Sequence, residues 1–338
     1  MKLRVGLVGL GQHWEGRHRP ALRSMADRFE VKAICEEVSH LAESAAREFD
    51  AVSVDGYRAL VGRDDVDAVL MLAPQWFGPL PILAACDYGK AVYCANAMDI
   101  QSAQAQDVRL RIEQAGIAFM LECPRRHAPA TQRLKELVAT HLGPPRMLFC
   151  HHRVASQTRL APTKRLDPED HMLQNLVEMV DWCRYVIGEE PTSVTGSAHA
   201  SSTGDGDKEY EMMSLDFSAA GQLGKGPTAQ ISCGQYIPGH WPEAITFQPP
   251  TPLQVYCERG IAFVDLPASL VWFDEAGRHR ESLESERPVG EQLLSNFYHD
   301  VVSLVRKTSS LKDSYQALEI VLAARSSWQQ GSRVDLQA

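Results

Sequence analysis

The stretch LRVGLVGLGQHWEG, residues 3–16, decides how the rest of the chain is read. An apolar run passes directly into Gly9 and Gly11, the pattern of a buried strand ending in a tight turn. Such a turn lets backbone N–H groups approach a pyrophosphate at the start of a helix. The glycine fingerprint is incomplete, however. A third small residue is expected at position 14, where helix and strand pack closely, and Trp14 stands there instead. Gly16 comes two residues late, so the turn is expected to be longer or differently bent. The next strand-like run, FEVKAICEE (29–37), carries Glu36 at its end, the place from which a carboxylate accepts hydrogen bonds from an adenosine ribose. The order strand, GxG, helix, strand, terminal Glu predicts a nucleotide site with Gly9, Gly11, Gln12, His13 and Glu36 as its contacts. A Rossmann-like domain with a closed, empty crevice is the alternative.

Outward from this stretch, strand and helix patterns alternate over about the first third of the chain. VDAVLMLAP (66–74) is a buried run closed by Pro74, AVYCANA (91–97) follows a helix, and IAFMLECP (117–124) follows another. This alternation predicts βαβ units and a parallel sheet. After GPP (143–145) the pattern changes to strand-like alternation, as in RMLFCHHRV, EYEMMSLDFSA, TAQISCGQYI and LQVYCERGIAFVDL. Strands that return without intervening helices predict a largely antiparallel second sheet. One helix, 171–187, interrupts it, helices over 291–306 and 312–329 close the chain, and HASSTGDGDKEYE reads as a solvated hairpin.

At 338 residues the chain is long enough for two cores. The net charge of −9 is spread along the sequence rather than gathered in a tail, which argues against a nucleic-acid or anionic-membrane partner and for a small molecule or a protein. No apolar run approaches the roughly 18 residues of a membrane span. The short apolar start runs into a glycine turn without a cleavage pattern and is read as a strand. Eight cysteines, with no CxxC and mostly in apolar segments, predict reduced, buried thiols and a cytoplasmic location. His151 and His152 alternate along a strand without a nearby carboxylate pattern, so they read as ordinary strand histidines and no metal is expected.

These features together resemble the Gfo/Idh/MocA family of glucose-fructose oxidoreductase, inositol dehydrogenase and their relatives. RVGLVGLG with RHRPAL resembles its opening, VDAVLMLAP and CDYGKAVYC its third and fourth strand regions, PRRHAPATQRLKELV its crossover, and YQALEIVLAARSSWQQGSRVDL its terminal helix and strand. The resemblance implies an N-terminal Rossmann domain with a parallel sheet over 1–123 and an α/β domain with a large, mostly antiparallel open sheet over 124–310. A C-terminal helix and strand over 311–338 complete the expected division. It further implies NAD as cofactor, Ala73 and Pro74 at the cofactor, a sugar, cyclitol or related polyol as small-molecule ligand, and homo-oligomers built through the second sheet.

The departures from the family pattern bear on catalysis. Where the family carries Glu-Lys-Pro, this chain reads Ala95, Asn96, Ala97; where it carries Asp-x-x-x-His, the register gives Gln174 and Glu178. Oxidising a carbinol requires a proton acceptor as the hydride leaves, and a positioned base contributes roughly 10²–10⁴-fold. Asn96 and Gln174 can hold a hydroxyl but cannot take its proton. In HMLQNLVEMVDWCRYVI (171–187), Met172, Leu173, Leu176, Met179, Val180, Cys183 and Ile187 share one arc, and His171, Gln174, Glu178 and Asp181 the other. A polar arc is ordinarily a solvated face; the resemblance turns this one toward the substrate. Glu178, against an apolar wall, or His171 is then the expected base. Arg125 and Arg126 are expected to reach a ligand or cap a helix. An oxidoreductase is the leading reading; a dinucleotide-binding sensor without turnover and an NAD-assisted glycoside-cleaving enzyme are the alternatives.

Overall fold

A computed structural model describes residues 2–73, 77–95, 102–156, 168–200, 208–219, 221–238, 240–241, 243–244, 247, 251–284, 286–303 and 309–336. The chain forms two compact units, Met1–Pro124 with Arg287–Tyr315, and Arg125–Glu286 with Gln316–Ala338.

The first unit holds β1 (Leu3–Val8), β2 (Phe29–Cys35), β3 (Val52–Ser53), β4 (Ala68–Met71), β5 (Ala91–Cys94) and β6 (Phe119–Leu121), in the order β3-β2-β1-β4-β5-β6. Every pairing is parallel, as the βαβ alternation predicts. The sheet is buried on both faces, which is why β1, β4 and β5 read as near-continuous apolar runs rather than alternating ones. β3, two exposed residues, carries no such signal and is not seen in the sequence. The helix Val289–Val302, which the sequence reading groups with the second domain, belongs to this unit: Leu293, Leu294 and Phe297 lie in the same core as Leu3, Val5, Leu7 and Tyr93.

The second unit holds β7 (Pro145–Ser156), β8 (Ser193–Ala200), β9 (Lys208–Asp216), β10 (Thr228–Pro238), β11 (Leu253–Cys257), β12 (Ile261–Asp265), β13 (Ser269–Asp274), β14 (Gly277–Ser282) and β15 (Val334–Asp335). Their order is β14-β13-β12-β11-β7-β10-β9-β8-β15, antiparallel except for β7 beside β10. One face of this sheet is apolar and buried, with Leu148, Cys150, Met213, Leu215, Ile231, Cys233, Leu253 and Val255. The helix Pro168–Ile187 packs on β7 and β10 and buries Leu176, Met179, Val180 and Cys183, the apolar arc expected for it. The opposite arc is not solvated as an ordinary polar face would be. Asp181 and Arg184 are 4% and 3% exposed, and Gln174 and Glu178 are half-buried.

Candidate functional site

In the first unit β1 delivers its chain into a loop where Gly9 and Gly11 have φ of 70° and 68°, a conformation that L side chains rarely adopt. A Cβ on Gly9 would collide with the Ala73 methyl, and one on Gly11 with the Leu72 carbonyl oxygen. Both glycines are therefore demanded by the close approach of this loop to the end of β4. Ala73, expected at the cofactor, is buried as the floor beneath Gly9. Glu36 braces the loop from the end of β2: its carboxylate accepts from the Leu10 N–H at 2.7 Å and the Glu37 N–H at 2.9 Å. It remains half-buried, with further lone pairs for ribose hydroxyls.

Trp14 explains the broken fingerprint. Its indole is buried in the core and tilted against Phe49 at 5.8 Å. The chain answers by widening: residues Trp14–His18 form a π-type turn in which the His18 N–H donates to the His13 carbonyl at 3.2 Å. This is the longer turn the sequence predicts. Gly16 is not a displaced third glycine, because a Cβ there would meet nothing within 4 Å. Gln12 is exposed on the loop. His13 is half-buried, its pKa lowered by burial and then by the Arg17 charge.

The structure also brings together a group that the sequence did not reveal. Glu122, directly after β6, has a fully buried side chain that accepts from Arg17 Nη1 and sits 3.0 Å from His18 Nε2. Burial pushes its carboxyl up, but the His18 hydrogen bond and the charges of His18 and Arg17 outweigh it and hold the group at about 2. An ionised carboxylate only accepts, so His18 Nε2 carries the proton. Tyr93, at 0% exposure on β5, stands edge-on to His18 and Phe297. His18 Nδ1 and the Tyr93 hydroxyl find no hydrogen-bond partner among the described residues. The available signals were a lone Glu ending the apolar run IAFML and the pair Arg17-His18, none of which has a motif's spacing.

In the second unit Glu178 does not face the apolar wall expected for it. Arg125 Nε donates to its Oε2 at 3.1 Å, and the same guanidinium lies 5.6 Å from the Trp182 ring. One turn on, Arg126 grips Asp181 through both oxygens. Arg125 and Arg126 are thus committed to carboxylates of the helix Pro168–Ile187. The helix gives Gln174 as half-buried. Asn96 and Pro74 lie outside the described residues, as does the side chain of His171. His151 Nδ1 is 2.8 Å from Ser232 Oγ, an ordinary cross-strand contact, and among the described residues no three His, Cys, Asp or Glu side chains could hold a metal ion. No helix among them is long and apolar enough to cross a membrane.

Residues 3–123 match the family model described as an oxidoreductase family with an NAD-binding Rossmann fold. Among curated relatives, 2,7-anhydro-N-acetylneuraminate hydratase of Escherichia coli is 23% identical over 71% of this chain and 63% of its own. Inositol 2-dehydrogenase 2 of Mycolicibacterium vanbaalenii is 30% identical over 57% of this chain and 56% of its own. The chain therefore spans less than two thirds of the length of these relatives. Two solved structures share the whole fold. Levoglucosan dehydrogenase, in complex with NADH and levoglucosan, aligns with a TM-score of 0.81 at 17% identity over 100% of both chains. Aldose-aldose oxidoreductase from Caulobacter crescentus, complexed with glycerol, aligns with a TM-score of 0.79 at 16% identity, over 99% of this chain and 100% of its own.

Proposed function

The chain belongs, by its Rossmann domain, to the Gfo/Idh/MocA oxidoreductase family, and on that premise we propose that it binds NAD and oxidises or reduces a sugar, cyclitol or related polyol. The observation that carries this reading is the turn at Gly9 and Gly11, two positions without side chains that have positive φ and lie close against the end of β4, in a loop braced by Glu36. A loop of this kind fits a pyrophosphate, and Glu36 fits the ribose diol of the adenosine half. Bound NAD would supply the hydride acceptor. The protein's own part is to hold the dinucleotide and to take the hydroxyl proton, a role we assign to Glu178 or His171, with Asn96 and Gln174 holding substrate hydroxyls. We also propose that the chain works as a homo-oligomer: Met147 and Tyr256, paired across β7 and β11, are each 41% exposed on the face of the second sheet opposite its apolar, buried one.

A second reading, dinucleotide binding without turnover, is favoured by one observation. Glu178 already holds Arg125, so a proton arriving there would weaken a charge-assisted hydrogen bond. Calorimetry with NAD, followed by the absorbance of reduced nicotinamide across sugars, cyclitols and their keto forms, separates the two. NAD binding with a substrate-dependent signal supports the oxidoreductase. Tight NAD binding with no signal across the panel supports the sensor, and no NAD binding removes both.

A further inference from the structure

We propose that Glu122 is a positioning residue for the dinucleotide: a buried clasp at the end of β6 that sets the glycine loop and through it the affinity for the pyrophosphate half. The proposal rests on the dinucleotide reading above and adds to it a residue far from the loop in sequence.

Three observations carry it. The first is the chain of bonds. The His13 carbonyl, at the end of the loop, accepts from the N–H groups of Arg17 at 3.0 Å and His18 at 3.2 Å, and the side chains of those same two residues end on Glu122. Glu122 is itself fixed to the sheet, its N–H donating to the Cys94 carbonyl at 2.9 Å. The second is what replaces the missing small residue at position 14. In an ordinary fingerprint, close helix-to-strand packing at that position fixes where the helix begins. Here Trp14 fills that space and the turn widens, so its far end needs another anchor, and Arg17 and His18 are that end. Gly290 closes the opposite side, where an added Cβ would lie 2.7 Å from the Arg17 carbonyl oxygen.

The third is energetic. A buried carboxylate held by a guanidinium and an imidazole is a poor stabiliser, since apolar residues of similar volume serve as well or better. His18 Nδ1, buried and without a partner among the described residues, adds to that cost. What such a triad does supply is a fixed geometry, because each member accepts only one arrangement of the other two.

The test uses the full chain, with binding of NAD and ADP-ribose followed by calorimetry and binding of adenosine by ligand-observed NMR. In the triple variant Arg17→Met, His18→Leu, Glu122→Leu the melting temperature is expected to stay the same or rise. NAD and ADP-ribose should both bind at least tenfold more weakly and adenosine within twofold of the original protein. Glu122→Asp, which keeps the charge and retracts it, should show the same pattern at about threefold, and carries the test if the triple variant does not fold. A folded triple variant with NAD affinity within twofold of the original overturns the clasp, as does an equal loss for adenosine and NAD, which is the mark of general loosening. An original protein that binds neither NAD nor ADP-ribose overturns the dinucleotide reading itself, and the clasp with it.

Discussion

Glu122 in the first unit and Glu178 in the second are both carboxylates held by arginine, yet their surroundings differ. Glu122 has no exposed side-chain area and two partners, Arg17 and His18, whereas the Glu178 side chain is 23% exposed and has, among the described residues, the one ion-pair partner Arg125, itself 13% exposed. The first cannot exchange partners without opening the core. The second can let go of Arg125 at the cost of one partly solvated hydrogen bond, which is what a group that must meet a substrate requires. On the proposal that Glu178 is the proton acceptor, the solvent left to each carboxylate, and not the ion pairing, is what separates the two.

The sharpest way to break this contrast is catalytic. Glu178→Gln is expected to lower turnover of any sugar or cyclitol substrate by about 10²–10⁴-fold, the usual contribution of a positioned base, with the NAD dissociation constant unchanged. His171→Asn should cost less. Near-normal turnover in Glu178→Gln would place Glu178 beside Glu122 as a structural group.

Stability should order the pair the other way. Glu122→Gln leaves Arg17 and His18 facing a neutral amide in the core, and breaking a buried pair costs roughly 3–5 kcal/mol. Glu178→Gln removes a partly solvated pair worth about 1 kcal/mol or less. Urea unfolding of the two variants checks this, and equal losses would end the distinction.

The same contrast marks what was legible in the sequence. Strand β1, Gly9, Gly11 and Glu36 were readable because their meaning is local: an apolar run, two glycines with positive φ, and a carboxylate at the next strand's end. Trp14 announced its own irregularity, and the wide turn followed. Glu122 was not readable, since its partners lie more than a hundred positions away and nothing in ECP distinguishes a buried clasp from a surface acid. The Glu178 environment failed for a related reason. Helical periodicity located its face, but Arg125 reaches that face from a separate segment. The helix Val289–Val302 was readable as a helix and not as part of the first unit, because an apolar stripe does not name the core it enters.

Acid titration sharpens the comparison further, since Glu122 in the first unit and His127 in the second have displaced pKa values in different windows. In the second unit, burial and then the Arg126 charge lower His127 to about 4 from 6.5. The unfolded chain takes up that proton first, so this contribution is complete above pH 6.5 and is lost as pH falls toward 4. Glu122 is held at about 2 against an ordinary 4.5, so its contribution is complete above 4.5 and is lost as pH falls toward 2. Each is worth up to about 3 kcal/mol, and less for the half-buried His127. In urea stability measured against pH, His127→Gln should flatten the upper window and Glu122→Gln the lower. A variant that flattens the other's window would show that the two groups are not independent.

A third carboxylate makes the finest division. Glu36 is braced by the N–H groups of Leu10 and Glu37 rather than by a guanidinium, so its charge stays available to whatever approaches the end of β2. A ribose diol donates to such a group, while a 2′-phosphate meets like charge, reinforced by the exposed Glu37 beside it. NAD is expected to bind at least about tenfold better than NADP, near 1.4 kcal/mol. Glu36→Gln keeps an acceptor for the Leu10 N–H and removes the charge, so the preference should narrow mainly through tighter NADP binding. Calorimetry with both dinucleotides on both proteins decides it. If NADP binds the original protein as well as NAD, Glu36 belongs with Glu122 as a brace of the loop and does not select the cofactor; if the variant loses both alike, the brace is the larger of its two roles.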